Sequence, residues 1–174
     1  MARVLLTQGL LESDLGLAAR AASAYREALA WTHRSRPDTG LEVFIRLNFA
    51  RLHLAENRFL EAEQEIRRAE QLAIAGNLIR RLVQIYSLLG RLRGLQGDEN
   101  GFVFFEQSIQ FARMLDLFPV VEAQAYHEYG AFRLLLGQRD ESRSYLERAR
   151  TLFELAGASA ELERVKDDLR RVSA

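Results

Sequence analysis

The chain has 174 residues, of which 48% are apolar and 28% charged, and its 24 acidic residues balance its 24 basic ones. This length and mix suit one well-buried domain, and the formal net charge of zero argues against nucleic-acid or anionic-membrane binding, which favours basic segments. The chain contains no cysteine, which excludes disulfides and cysteine-ligated metals. Lys166 is the only lysine among the basic residues, a bias that indicates a GC-rich, bacterial genome.

The sequence shows no targeting segment. No apolar run approaches the roughly 20 residues that cross a bilayer, and the N-terminus lacks the charged start, apolar core and cleavage site of a signal peptide. We therefore expect a cytoplasmic protein without membrane contact. Because the first helix begins abruptly at the second residue, we also expect the chain to be a piece of a longer protein, with its C-terminal helix as a natural end.

Apolar residues recur at helical spacing along the whole chain, with only two prolines to interrupt them, and this predicts an all-α fold. In chain order the predicted helices are roughly Ala2–Ser13, Leu17–His33, Leu41–Ala55, Phe59–Ile74, Leu78–Leu95, one ending near Leu115, Pro119–Leu136, Asp140–Leu155 and one starting at Ser159. We group them as four hairpins over 2–36, 40–76, 78–116 and 119–157 and a capping helix over 159–173, in a single domain over 1–174.

The hairpins repeat one another at a step of 39 to 41 residues. Small residues keep this step in three series: Gly9, Ala50, Gly90 and Gly130; Ala21, Ala62, Gly101 and Ser142; and Ala28, Ala69, Ser108 and Ala149. A large residue lies between the last two series in each unit: Tyr25, Ile66, Phe105 and Leu146. Two helices approach to about 8–10 Å only where side chains are small, so the series predict close crossings in a stack of hairpins.

This pattern resembles the tetratricopeptide repeat, and the third unit shows it in Tyr86, Leu89-Gly90, Gly97, Phe105 and Ser108. The resemblance implies a right-handed α-solenoid of four helical hairpins closed by the capping helix. The usual unit has about 34 residues, so the longer unit resembles the variants found in sensor domains of bacterial regulators and in scaffold adaptors. HEAT or armadillo units have a compatible length but do not predict the ladder of small residues.

The resemblance also implies that the first helix of each hairpin lines a concave binding face. The predicted binding residues are Phe44, Asn48, Arg51, Gln84, Ser87, Arg91, Gln124, His127 and Glu128. The amides could hydrogen-bond a backbone, Arg51 and Arg91 could hold a carboxylate or phosphate, and Phe44 could supply apolar contact. The alternative is that these are ordinary solvated helix residues, with each arginine paired to a nearby glutamate.

The sequence offers no pattern for catalysis. His33, His53 and His127 are scattered and lack metal-ligand spacing, and no glycine-rich phosphate loop follows a strand. The serines have no visible triad context. We therefore expect no metal, no cofactor and no enzymatic activity.

The predicted function is binding of a protein or peptide on the concave face. The alternative is the effector region of a larger bacterial transcription regulator or signalling protein, which senses a small ligand. A peptide groove should be open along its length, whereas a small-ligand site should close into one apolar pocket with a few polar groups. A homodimer through the uncapped N-terminal hairpin is a further expectation, because an end hairpin exposes apolar area.

Overall fold

The computed structural model describes residues 1–34, 38–98, 100–115 and 118–173, and these residues form nine α-helices without a strand. The helices are α1 (Ala2–Asp14), α2 (Ala18–Arg34), α3 (Thr39–Ala55), α4 (Phe59–Ala75), α5 (Ile79–Leu95), α6 (Gly101–Arg113), α7 (Pro119–Leu135), α8 (Arg139–Ala156) and α9 (Ser159–Ser173). The predicted all-α solenoid is confirmed. The predicted unit ends at 36 and 116 lie outside the described residues. Within those residues, no helix combines the length and the apolar composition of a membrane span.

Two layers of helices form the stack. Each helix packs against the next one in the chain, and each odd-numbered helix also contacts the next odd-numbered helix. Within the described ranges, no two successive even-numbered helices touch. The odd-numbered helices therefore lie closer to one another than the even-numbered helices do. A stack of this kind curves toward its closer layer, so the odd-numbered helices form the inner, concave layer.

The C-terminal helix continues this inner layer. Helices α3, α5, α7 and α9 begin at Thr39, Ile79, Pro119 and Ser159, which are 40 residues apart. Helix α9 contacts both α7 and α8, as α7 contacts α5 and α6. The prediction of α9 as an end cap is therefore incomplete, because α9 also takes the place of the first helix of a fifth unit.

Glycines allow the helices of a hairpin to approach closely. A Cβ atom built on Gly9 would lie 2.6 Å from Cε1 of Tyr25, and one built on Gly130 would lie 2.8 Å from Cγ of Leu146. The large residue of each unit thus packs on the small residue of its own hairpin. Tyr25 also reaches the next hairpin, where its ring centroid lies 5.8 Å from that of Phe49.

Each hairpin turn contains one residue with a left-handed backbone. These residues are Gly16, Asn57, Gly97 and Gly137, with φ between 58° and 78°. Glycine and asparagine adopt this conformation at the least steric cost. After α4, the left-handed residue is Asn77 (φ 50°).

A buried histidine makes the stability of the fold depend on pH. His53 is 4% exposed, its ring stacks on Phe49 at 4.4 Å, and its Nδ1 has no hydrogen-bond partner within the described residues. Burial, aided by the nearby Arg58, lowers the pKa of His53. The unfolded chain, with a histidine pKa of about 6.5, therefore binds more protons as the pH falls.

We expect the free energy of unfolding to be highest above about pH 6.5 and to decline as the pH falls below it, because the folded state resists protonation of His53. In a His53→Phe variant, the free energy of unfolding should fall less steeply as the pH is lowered, because the contribution of His53 is absent. Urea unfolding at a series of pH values measures both slopes. Parallel slopes for the two proteins would contradict the expectation.

Candidate functional site

A cavity of about 240 Å³ opens on the inner layer between α3, α5, α7 and α9, and we call it the inner cavity. Six of the nine predicted binding residues line it: Arg51, Gln84, Ser87, Gln124, His127 and Glu128. Arg91 lines a neighbouring cavity of about 320 Å³, which shares Glu128 with the inner cavity. The two cavities thus follow one another along the concave face.

The other two predicted residues, Phe44 and Asn48, do not line the inner cavity. The Asn48 side-chain amide donates to the Phe44 carbonyl oxygen at 2.8 Å, and its oxygen accepts a bond of 3.4 Å from Arg51. The Phe44 ring lies under the guanidinium of Arg81, 4.4 Å from its centroid. Both residues therefore act on neighbouring arginines instead of forming the cavity wall.

The inner cavity has an apolar floor and a polar rim. The floor residues are buried, with exposed fractions of 0% for Phe153, 1% for Ala125, 3% for Val83 and 6% for Ser87. The rim carries the half-buried Gln84 and Gln124 and the exposed Glu128 and Arg164. The cavity thus closes on buried, mainly apolar residues and carries hydrogen-bonding groups at its mouth.

Several rim groups are available to a ligand. Gln84 accepts a bond of 3.0 Å from Arg81, which leaves its amide nitrogen able to donate. Gln124, Glu128 and Arg164 have no hydrogen-bond or ion-pair partner among the described residues. Polar groups of this kind orient bound ligands.

Arg51 at the rim and the nearby Arg81 form a positive spot. Arg81 is half-buried, and burial together with the nearby Arg80 and Arg51 lowers its pKa. Its partners are neutral, namely the Phe44 ring and the Gln84 amide. Neither Arg51 nor Arg81 forms an ion pair with a carboxylate within the described residues. A site with adjacent unneutralised guanidinium groups favours an anionic group.

Ser87 at the floor of the inner cavity forms a directed pair with the buried Ser108 of α6. The Ser108 hydroxyl donates to the Val83 carbonyl oxygen at 2.8 Å, and the two hydroxyl oxygens of Ser87 and Ser108 lie 2.9 Å apart. A hydroxyl has one proton, so Ser87 must donate to Ser108. The Ser87 oxygen can therefore only accept from a ligand.

A hydrogen bond between side chains joins α9 to α7. Nε2 of His127 lies 2.9 Å from Oδ2 of Asp168, and these side chains are 22% and 17% exposed. Asp168 is held in turn by Arg171 at 3.2 Å. The pair fixes the wall that α9 contributes to both cavities.

The residues that α9 contributes to the two cavities were not predicted from the sequence. Glu161 and Arg164 line the inner cavity, and Asp168 and Arg171 line its neighbour. Arg164 follows Gln124 by 40 residues, and Asp168 follows Glu128 by the same step. Counting the repeat once more into the last helix would have found both.

Comparison with known proteins yields structural likeness only. No family model matches the sequence, and no curated protein matches it. The crystal structure of BtubC (BKLC) from P. vanneervenii is similar with a TM-score of 0.64 and 18% identity, over 95% of this chain and 76% of that one. A Rap protein complexed with Competence and Sporulation Factor is similar with a TM-score of 0.72 and 15% identity, over 97% of this chain. The chain spans about half of that Rap protein (53%), and both likenesses show a shared helical-repeat fold.

Proposed function

We propose that the chain is a tetratricopeptide-type scaffold with long units that binds a protein or peptide segment along its inner layer. The inner cavity carries this proposal, because its rim offers amide and guanidinium groups without partners among the described residues. The similar Rap protein, which was solved with Competence and Sporulation Factor, supports binding as the use of such a fold.

The dimensions of the site favour an extended partner. The inner cavity, at about 240 Å³, is smaller than the roughly 300–1,000 Å³ of sites that enclose drug-sized ligands. The adjoining cavity at Arg91 and Glu128 extends the surface along the concave face. A segment that crosses both cavities would use this shape better than a single small molecule. We therefore rank the small-ligand effector region of a bacterial regulator second.

The charges favour a segment with an acidic group. Arg51 and Arg81 meet no carboxylate within the described part of the chain, and Arg164 adds a third unpaired guanidinium at the rim. A carboxylate or phosphate would make charge-assisted hydrogen bonds there.

The proposal is of binding without catalysis, although Ser87, His127 and Asp168 all lie near the cavities. In a catalytic triad the histidine Nε2 faces the serine and Nδ1 faces the aspartate. Here Asp168 bonds Nε2 of His127, and Ser87 donates its proton to Ser108. This arrangement differs from that of a catalytic triad, which supports the proposal of binding.

A displayed random-peptide library, selected on the purified chain, tests the proposal. We expect the selected peptides to contain an acidic residue and to bind an Arg51→Glu, Arg91→Glu double variant at least about tenfold more weakly, because two attractive charges become repulsive. Fluorescence anisotropy with labelled peptides measures the two affinities.

The matched control carries the same charge change on the outer layer. Arg68 and Arg143 are exposed and lie on α4 and α8. An Arg68→Glu, Arg143→Glu variant should bind the peptides as the unmodified chain does. Equal loss in both variants would show a general charge effect, and unchanged binding in the first would overturn the concave site.

The proposal includes two further expectations, a bacterial cytoplasmic location and self-association through the N-terminal hairpin. For the second, α1 exposes Met1, Val4 and Leu11, with Leu15 just beyond its end, each with more than half of its surface accessible. These residues are separated by three, seven and four positions, which is helical spacing, and they form one apolar stripe. A second copy could cover this stripe.

A further inference from the structure

Two successive interfaces of the inner layer use the same positions of the unit but different side chains. Between α3 and α5, three buried apolar residues fill these positions in one cluster: Val43, Leu47 and Ile85. Between α5 and α7, 40 residues later, the positions hold Val83, Ser87 and Ala125. A leucine has thus become a serine, and an isoleucine has become an alanine.

Both exchanged positions lie at the inner cavity. Val83, Ser87 and Ala125 all line it, and Phe153 from α8 closes the floor. Serine and alanine have smaller side chains than leucine and isoleucine, and protein interiors leave few voids larger than a water molecule. The cavity therefore lies where Leu47 and Ile85 fill the space one unit earlier.

We infer that the inner cavity is an anchor pocket for one aliphatic side chain of a bound peptide, of the size of leucine, isoleucine or methionine. Ser87 and Ala125 set the size of this pocket. The inference rests on the proposed peptide binding and names the residue that the site selects. The peptide side chain supplies the apolar contacts that the α5–α7 interface lacks, while Gln84 and Gln124 at the rim meet its backbone.

The chemistry of the floor excludes polar and charged anchors. Val83, Ala125 and Phe153 offer no polar side-chain atom. The Ser87 hydroxyl gives its proton to Ser108, so it presents an acceptor without a donor. A carboxylate would find no donor at this depth, and a lysine ammonium would lose more hydration than one acceptor restores. An aliphatic group loses nothing and removes apolar surface from water.

The test restores the residues of the earlier interface. A Ser87→Leu, Ala125→Ile variant should fill the pocket with the side chains that the α3–α5 interface already accommodates. Ser87→Leu alone is the second variant, in case isoleucine at 125 crowds Phe153. Melting followed by circular dichroism shows that each variant folds.

The probes are peptides selected on the chain, synthesised with leucine or with alanine at the aliphatic position. The unmodified chain should prefer the leucine peptide by at least about tenfold. In a filled variant the two peptides should bind within about twofold of each other, because the pocket no longer distinguishes them. A preference that survives the filling would overturn the anchor pocket, as would selected peptides that share no aliphatic residue.

A second measurement needs no selected peptide. N-acetyl-leucinamide should shift the methyl NMR signals of Val83 and Ala125, whereas N-acetyl-alaninamide should leave them unchanged. In the Ser87→Leu variant, N-acetyl-leucinamide should no longer shift these signals. The same response to both amides would overturn the pocket. Peptides that bind through Arg51 and Arg91 without aliphatic preference would refute the pocket and leave the proposed function intact. A leucinamide response without any peptide binding would refute the peptide as occupant and with it the proposed function.

Discussion

Replacing Gly101 by alanine should lower the free energy of unfolding by about 2–3 kcal/mol, although alanine is the better helix former. The added Cβ would lie 2.8 Å from the backbone nitrogen of Gly94 and 2.9 Å from the backbone oxygen of Gly90. Backbone atoms cannot turn aside as a side chain does, so α5 and α6 would have to separate. Urea unfolding followed by circular dichroism measures the loss.

The matched control is the same exchange at Gly40, in the first turn of α3. There the nearest atom to an added Cβ is Oδ1 of Asp38, at 3.6 Å, an ordinary contact distance. Gly40→Ala should leave the stability unchanged or raise it slightly, because alanine loses less backbone entropy. Similar midpoints for the two variants would contradict the close crossing of α5 and α6.

The helical crossings were predictable because their cause lies in the residues themselves. Glycine or alanine at a fixed step permits close approach, and the third unit has glycine at both Gly90 and Gly101. The large residue that lies between the small ones makes two contacts, and the third unit shows both. The Phe105 ring packs on Gly90 and also lies parallel to the Tyr129 ring of the next hairpin at 4.8 Å. The sequence left the first of these contacts undecided, since a pattern of sizes does not give side-chain direction.

The candidate site was predictable where it depends on the repeat register. Gln84 and Gln124 hold the same position of successive units, and both line the inner cavity. Asn48 shows the limit of this reasoning, because its amide bonds a carbonyl of its own helix. Such local bonds compete with outward contacts through rotamer choice, which a sequence pattern does not reveal.

The prediction for helix α9 was incomplete for a different reason. One apolar stripe and one charged face suit an end cap as well as a helix of the inner layer, so amphipathicity alone did not distinguish them. Val165 and Val172 are buried, while Arg164 reaches the inner cavity. Only the 40-residue count separates the two roles.

The arginines at the inner cavity differ from the alternative that each arginine is paired to a nearby glutamate. Away from the inner cavity, many pair with carboxylates, as Arg67 does with Glu70 at 2.9 Å. At the cavity, Arg51, Arg81 and Arg164 form no ion pair within the described residues. The rim therefore offers a partner guanidinium groups without a carboxylate partner beside the carboxylates of Glu128 and Glu161, which are also unpaired among the described residues.

Replacing Arg46 by methionine should lower the free energy of unfolding by about 3 kcal/mol, because it leaves two largely buried carboxylates unpaired. Arg46 donates to Glu42 at 3.0 and 2.9 Å and to Glu65 at 2.7 Å, and the three side chains are at most 20% exposed. This arginine links α3 to α4 inside the second hairpin. Arg58→Met is the control, since Arg58 and Glu61 are 48% and 39% exposed and exposed pairs contribute about 0–1 kcal/mol. Urea unfolding of both variants should give a loss several times larger for Arg46, and equal losses would show that the Arg46 pairs act as surface pairs.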